Sequence, residues 1–135
     1  MEIIETDYWC MFVPDEWAIV RDQDLIKMTD ENEVGELILN TLIHQDGHLE
    51  FSKIYTLAET ESPEVCDWMR VTLGKFAGIT GEFQEFDTSI REWYVGYGSA
   101  LLYITYACWQ AHAGIDAALV DDILSTLVPG DEIEC

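Results

Sequence analysis

The stretch from Arg91 to Leu127, REWYVGYGSALLYITYACWQAHAGIDAALVDDILSTL, limits the possible folds of this chain more than any other. Leu101 to Cys108 is apolar or weakly polar on both alternations: Leu101, Tyr103, Thr105 and Ala107 on one, Leu102, Ile104, Tyr106 and Cys108 on the other. Uncharged β-branched and aromatic residues on both sides predict a central strand, covered by helices on at least one face. From Asp116 the spacing turns helical. Ile115, Leu119, Val120, Ile123, Leu124 and Leu127 form one stripe, with Asp116, Asp121, Asp122 and Ser125 opposite. A one-sided helix following a two-sided strand is expected to pack across the sheet.

The rest of the chain supplies partners for that strand. Tyr8 to Val13 (YWCMFV) reads as a first strand stopped by Pro14, and Trp17 to Val20 and Leu25 to Met28 as a hairpin around Arg21-Asp22-Gln23-Asp24. After a solvated acidic turn at 29–33, Glu36 to His44 alternates as a further strand that closes at Asp46-Gly47. Phe51, Ile54, Tyr55 and Ala58 recur at helical spacing, predicting a helix to about Glu59. Ser62-Pro63-Glu64 has the chemistry of a helix start, and Val65, Trp68, Met69 and Leu73 extend a second stripe towards Gly74, although Met69 to Leu73 is equally compatible with a strand. Phe76 to Phe86 alternates loosely, with Gly78 and Gly81 suggesting bulges or close backbone approach. Glu92 to Tyr97 and Leu101 to Trp109 form a hairpin turning at Gly96-Tyr97-Gly98-Ser99. The expectation is one α+β domain over residues 1–135, a central antiparallel sheet flanked by helices, with the C-terminal helix packed on the sheet and a polar tail at 129–135.

Charge is the dominant feature of the composition: 27 acidic against 6 basic residues, a net charge of −21. With 49% hydrophobic and 12% aromatic residues this is an acidic surface on a folded body, not a disordered acidic chain. Such a surface repels nucleic acid and anionic membranes and attracts cationic partners. No apolar run approaches the roughly 18 residues of a membrane span. The N-terminal MEIIETDYWC lacks the basic and apolar regions of a signal peptide, and Cys10, Cys66, Cys108 and Cys135 form no CxxC pair, which points to a reducing cytoplasm.

No catalytic or cofactor motif stands out. His44 and His48 are four apart, but Asp46-Gly47 breaks the helix that would bring them together as metal ligands, and His112 sits alone in a loop. Gly98-Ser99 is a turn and not a nucleophile elbow, and Gly96-x-Gly98 lacks the glycine and helix of a phosphate cradle. Asp121 and Asp122, adjacent on a helix, diverge by about 100° and read as its wet face. The sequence therefore assigns no catalytic residue, no metal and no cofactor. Trp93, Tyr94, Tyr97, Tyr103, Tyr106 and Trp109 crowd one hairpin, more rings than one face can bury, so some are expected to form a protein-binding patch ringed by acids.

The order of these elements, with the residues FVPDEW (12–17), ELILNTL (36–42), FAGITGEF (76–83), REWYVGYGSALLYITY (91–106) and DAALVDDILSTL (116–127), resembles the PsbP-like superfamily over nearly the whole chain. The resemblance implies a sheet flanked by helices, an α/β/α sandwich, and a non-enzymatic binding role, as in photosystem subunits, a Ran-binding eukaryotic branch, and bacterial chaperones or immunity proteins linked to toxin secretion. It carries over no functional residue, because no diagnostic motif is shared. Together with the charge it suggests an immunity (antitoxin) protein that occludes a cationic toxin or effector domain. The residues expected to bind are Asp30, Glu31, Glu33 and Glu36, then Glu82, Glu85, Asp87 and Glu92, with Trp93 or Trp109 as anchor. The alternative is a secretion chaperone or adaptor of the same fold that shields an apolar segment.

Overall fold

A computed structural model describes residues 2–22, 25–32, 34–44 and 49–130. The strands are β1 (Glu2–Glu5), β2 (Trp9–Val13), β3 (Ala18–Asp22), β4 (Leu25–Thr29), β5 (Gly35–Ile43), β6 (Met69–Leu73), β7 (Phe76–Glu85), β8 (Thr88–Tyr97), β9 (Ala100–Trp109) and β10 (Val128–Pro129). The helices are α1 (Phe51–Glu61) and α2 (Ala117–Leu124), with a short 3-10 turn at Gln110–His112. Seven strands form one antiparallel sheet in the order β3-β4-β5-β9-β8-β7-β6, and β1, β2 and β10 form a second, three-stranded sheet.

The apolar strand β9 lies at the centre of the large sheet, as its two-sided pattern requires. On one face Leu102, Ile104 and Tyr106 join Trp93 and Val95 of β8 and Leu37 and Leu39 of β5 in a core closed by Ile4, Trp9 and Met11 of the small sheet and by Val120, Ile123 and Leu124 of α2. On the other face Leu101 packs with Tyr94, Ile79 and the α1 residues Ile54 and Ala58. Burying a side chain such as Leu102 contributes ~1.5–3 kcal/mol.

This corrects the helix-flanked α+β expectation. The protein is mostly β, and the layer opposite α1 is a second sheet with α2 beside it, so the architecture is a sandwich of sheets. Tyr8 to Val13 does form a strand, but alternate side chains Trp9, Met11 and Val13 face inward across the sandwich while β2 pairs with β1 and β10, outside the central sheet. The helix expected from Ser62 is also absent. Met69–Leu73 pairs in full with Phe76–Thr80, and the ladder overrides a stripe that fitted either period. Gly81 is a site of close approach, as anticipated: a Cβ there would run into Val65 and Trp68, which cross over β7. Gln23, Asp24, Asp46, Gly47 and the polar tail at 131–135 lie outside the described residues.

Candidate functional site

Strand register gathers several loops at one end of the large sheet. Gly35 is opposite Cys108, Thr88 is opposite Trp109, and Glu85 is opposite Thr88. The β4–β5 turn, the end of β9 and the β7–β8 loop therefore share that end, spread over five adjacent strands and roughly 19 Å. Trp109, Thr88 and Glu85 lie in one cross-strand row, next to the row Glu36, Ala107, Ile90 and Phe83 on the same face. Trp109 is 62% exposed and stands between two open grooves. One, of about 450 Å³, is lined by Val20, Lys27, Val34 and Glu36; the other, of about 620 Å³, by Asp87, Gln110, Ala111 and His112.

Local hydrogen bonds hold this end in shape. Asp30 Oδ1 accepts the Val34 N–H at 2.8 Å and closes the β4–β5 turn. The Gln110 N–H donates to the Asp87 carbonyl at 2.6 Å, tying the exit of β9 to the β7–β8 loop. Glu36 pairs with Lys27 at 3.1 Å. Both partners are half-exposed, so the pair contributes only ~0–1 kcal/mol and leaves the surface strongly negative.

Of the residues expected to bind, Asp30, Glu31, Glu36, Glu85, Asp87 and Trp109 come together here; Glu33 lies outside the described residues. Glu82 points to the other face of β7, opposite Arg91, whose Nη1 bonds Asp121 Oδ1 at 2.9 Å. Two residues must be reassigned. Glu92 is 4% exposed and Trp93 is fully buried with the Arg91 guanidinium 4.5 Å from its ring, so both are interior and neither can meet a partner. The period-two alternation decides this: Trp93 shares its face with Val95 and lies opposite Ile104, on the side that the small sheet covers. Trp109 has the opposite parity: it shares its face with Ala107 and Thr105, on the α1 side of the sheet, and sits at the strand's exposed end.

Glu92 belongs instead to a closed polar network. It accepts a hydrogen bond from the Tyr103 hydroxyl, and the Tyr94 hydroxyl bonds Ser62 Oγ at 2.7 Å. Burial pushes both phenols above the usual tyrosine range, so they stay protonated at neutral pH and serve as structural hydrogen-bonding groups. The second Glu92 oxygen has no hydrogen-bond partner among the described residues. His44 donates its backbone N–H to Ser99, His48 lies outside the described residues, and His112 is exposed on the 3-10 turn. Among the described residues no three His, Cys, Asp or Glu side chains gather as metal ligands. Cys10, Cys66 and Cys108 are free of disulfides.

One residue escaped the sequence reading. The β6–β7, β7–β8 and β8–β9 hairpins all turn through two-residue loops, and each has its first loop residue at positive φ: Gly74 at 62°, Phe86 at 54° and Gly98 at 57°. Glycine suits that position; phenylalanine does not. Phe86 is also 94% exposed. The signal in the sequence was a two-residue loop, Phe86-Asp87, without glycine between two alternating strands.

No protein-family model matches the sequence, and no curated protein does. Solved structures do resemble the fold. A protein from Bacteroides thetaiotaomicron superposes with a TM-score of 0.67 at 14% identity over 92% of this chain, which spans 46% of that protein's length. Cyanobacterial PsbP (CyanoP) from Synechocystis sp. PCC 6803 gives a TM-score of 0.64 at 11% identity, covering 91% of this chain and 87% of that one. LpqN, involved in cell envelope biogenesis of Mycobacterium tuberculosis, gives 0.64 at 13% identity, covering 90% and 83%. The fold is PsbP-like.

Proposed function

We propose that this is a non-enzymatic immunity (antitoxin) protein of the cytoplasm, which binds and occludes a cationic toxin or effector domain. The observation that carries the reading is the convergence of Asp30, Glu31, Glu36, Glu85 and Asp87 around exposed Trp109 at one end of the sheet. Carboxylates in this arrangement steer a basic domain inward and pair with the lysines and arginines that would otherwise hold its anionic substrate. The indole supplies the desolvated contact that slows release.

The test is a search of the neighbouring genes for a lysine- and arginine-rich domain, followed by co-expression of that domain with this protein, scored as growth. Wild type is expected to restore growth, and Trp109→Ala combined with Glu85→Gln and Asp87→Asn to lose rescue while keeping the wild-type melting temperature. Equal rescue by that variant would sink the proposal. A chaperone of the same fold is favoured by a separate feature: Ile3, Phe12 and Val128 are exposed on the outer face of the small sheet, with Ile3 directly opposite Phe12. That reading gains if Phe12→Asp, and not the acidic-end variant, abolishes activity.

A further inference from the structure

The β7–β8 loop holds Phe86 in a conformation that L side chains avoid, and the neighbouring hairpins solve the same turn with glycine. Among the described residues nothing rewards the choice. The ring is almost wholly in water, and it joins neither of the two core clusters. A non-glycine residue held in the left-handed region is costly, and strain of that kind collects at sites of function. We propose that Phe86 is the anchor by which this protein docks: the hairpin tip inserts the ring into an apolar pocket of a partner protein, and lysines or arginines rim that pocket.

The flanking residues define the rim. Glu85 and Asp87 are both exposed on either side of the ring and would be drawn to the mouth of the pocket as it enters. A neutral or acidic mouth would leave them desolvated and unpaired, whereas basic side chains would offset that loss. A second copy of this chain is a poor receptor, because each copy carries a net charge of −21. The tip is pre-organised: the Gln110 N–H bond to the Asp87 carbonyl fastens it beside Trp109, so little loop entropy is lost on docking. This proposal rests on the acidic-docking reading and adds to it the residue that enters and the kind of cavity that receives it.

The experiment places the photo-reactive analogue p-benzoylphenylalanine at Phe86, or as a control at exposed Phe12, in cells of the source organism. The cross-linked peptide is identified by mass spectrometry, and the purified partner is then titrated with wild type and Phe86→Gly. Expected are a cross-link specific to position 86, a partner peptide bearing lysine or arginine beside apolar residues, and an affinity weakened roughly thirtyfold in Phe86→Gly. The proposal fails if position 12 cross-links as well, if the captured chain is another copy of this protein, if the partner peptide lacks basic residues, or if Phe86→Gly binds within twofold of wild type. A captured partner with those features but no toxicity removes the immunity reading and leaves this one standing. Full growth rescue by Phe86→Gly does the reverse.

Discussion

Replacing Phe86 with glycine should make the protein more stable, the opposite of the usual effect of introducing glycine. The left-handed conformation costs an L-residue ~1–2 kcal/mol. Glycine's greater freedom in the unfolded chain returns ~0.5–1 kcal/mol of that advantage. Phe86 is 94% exposed, so truncating it forfeits no more than ~0.3 kcal/mol of burial. The balance is a gain of about 0.5 kcal/mol, or roughly 2 °C in Tm for a chain of this size. Phe86→Ala is the necessary comparison, because alanine loses the ring and keeps the strain; it should lie below glycine by about 1 kcal/mol. Thermal and urea unfolding of the three proteins, followed by circular dichroism, measure both differences. A glycine variant no more stable than the alanine variant would refute the claim that the backbone is strained at this loop. At Gly74, in the neighbouring hairpin, the glycine is compulsory on other grounds, since a Cβ would collide with the Leu127 carbonyl oxygen.

Leu102→Ala, in the core between the two sheets, should destabilise by ~2–5 kcal/mol in urea titration; a loss below 1 kcal/mol would mean that the sandwich is not packed there as described. Alkaline pH provides a second check. Burial raises the phenols of Tyr94, Tyr103 and Tyr106, the last also donating to Asp116 at 2.8 Å. Their folded values exceed the unfolded value near 10, so the stability they contribute is full below about pH 10 and is lost as pH rises above it, by up to ~1.4 kcal/mol per pH unit for each. Tyr106→Phe should flatten that decline in urea midpoints taken between about pH 9.5 and 11.5, and parallel curves for the two proteins would contradict the assignment.

How much of this was legible in the sequence depended on whether a signal was local. Leu101 to Cys108, apolar on both alternations, announced a central strand, and β9 is that strand; of the stripe expected for the last helix Val120, Ile123 and Leu124 face inward and Leu127 is buried just past its end, whereas Ile115 and Leu119 are exposed. Alternation says which side chains share a face and not which strand is the neighbour, so nothing in YWCMFV revealed that β2 would leave the central sheet and pair with β1 and β10. Those two strands, EIIE and Val128-Pro129, are too short to show any period. Met69 to Leu73 satisfied both spacings, and only the partner strand decided between them. At the candidate site the same limit applied. The acids and Trp109 could be named, but their meeting at one sheet end comes from register over more than seventy residues of sequence. Trp93 and Trp109 differ by their parity and by their distance from the covering layer, and only the first of these is written locally.

The central claim is that docking is driven by carboxylates meeting cations at the Trp109 end of the sheet. The most direct measurement is the dissociation constant for the basic partner domain at about 0.05 M and about 0.5 M salt, for wild type and for the Glu85→Gln, Asp87→Asn pair. Screening shortens the Debye length from about 14 to about 4 Å across that range, so wild-type affinity should fall at least roughly tenfold and the neutralised pair should respond much less. Equal affinities for wild type at the two salt concentrations would contradict the account.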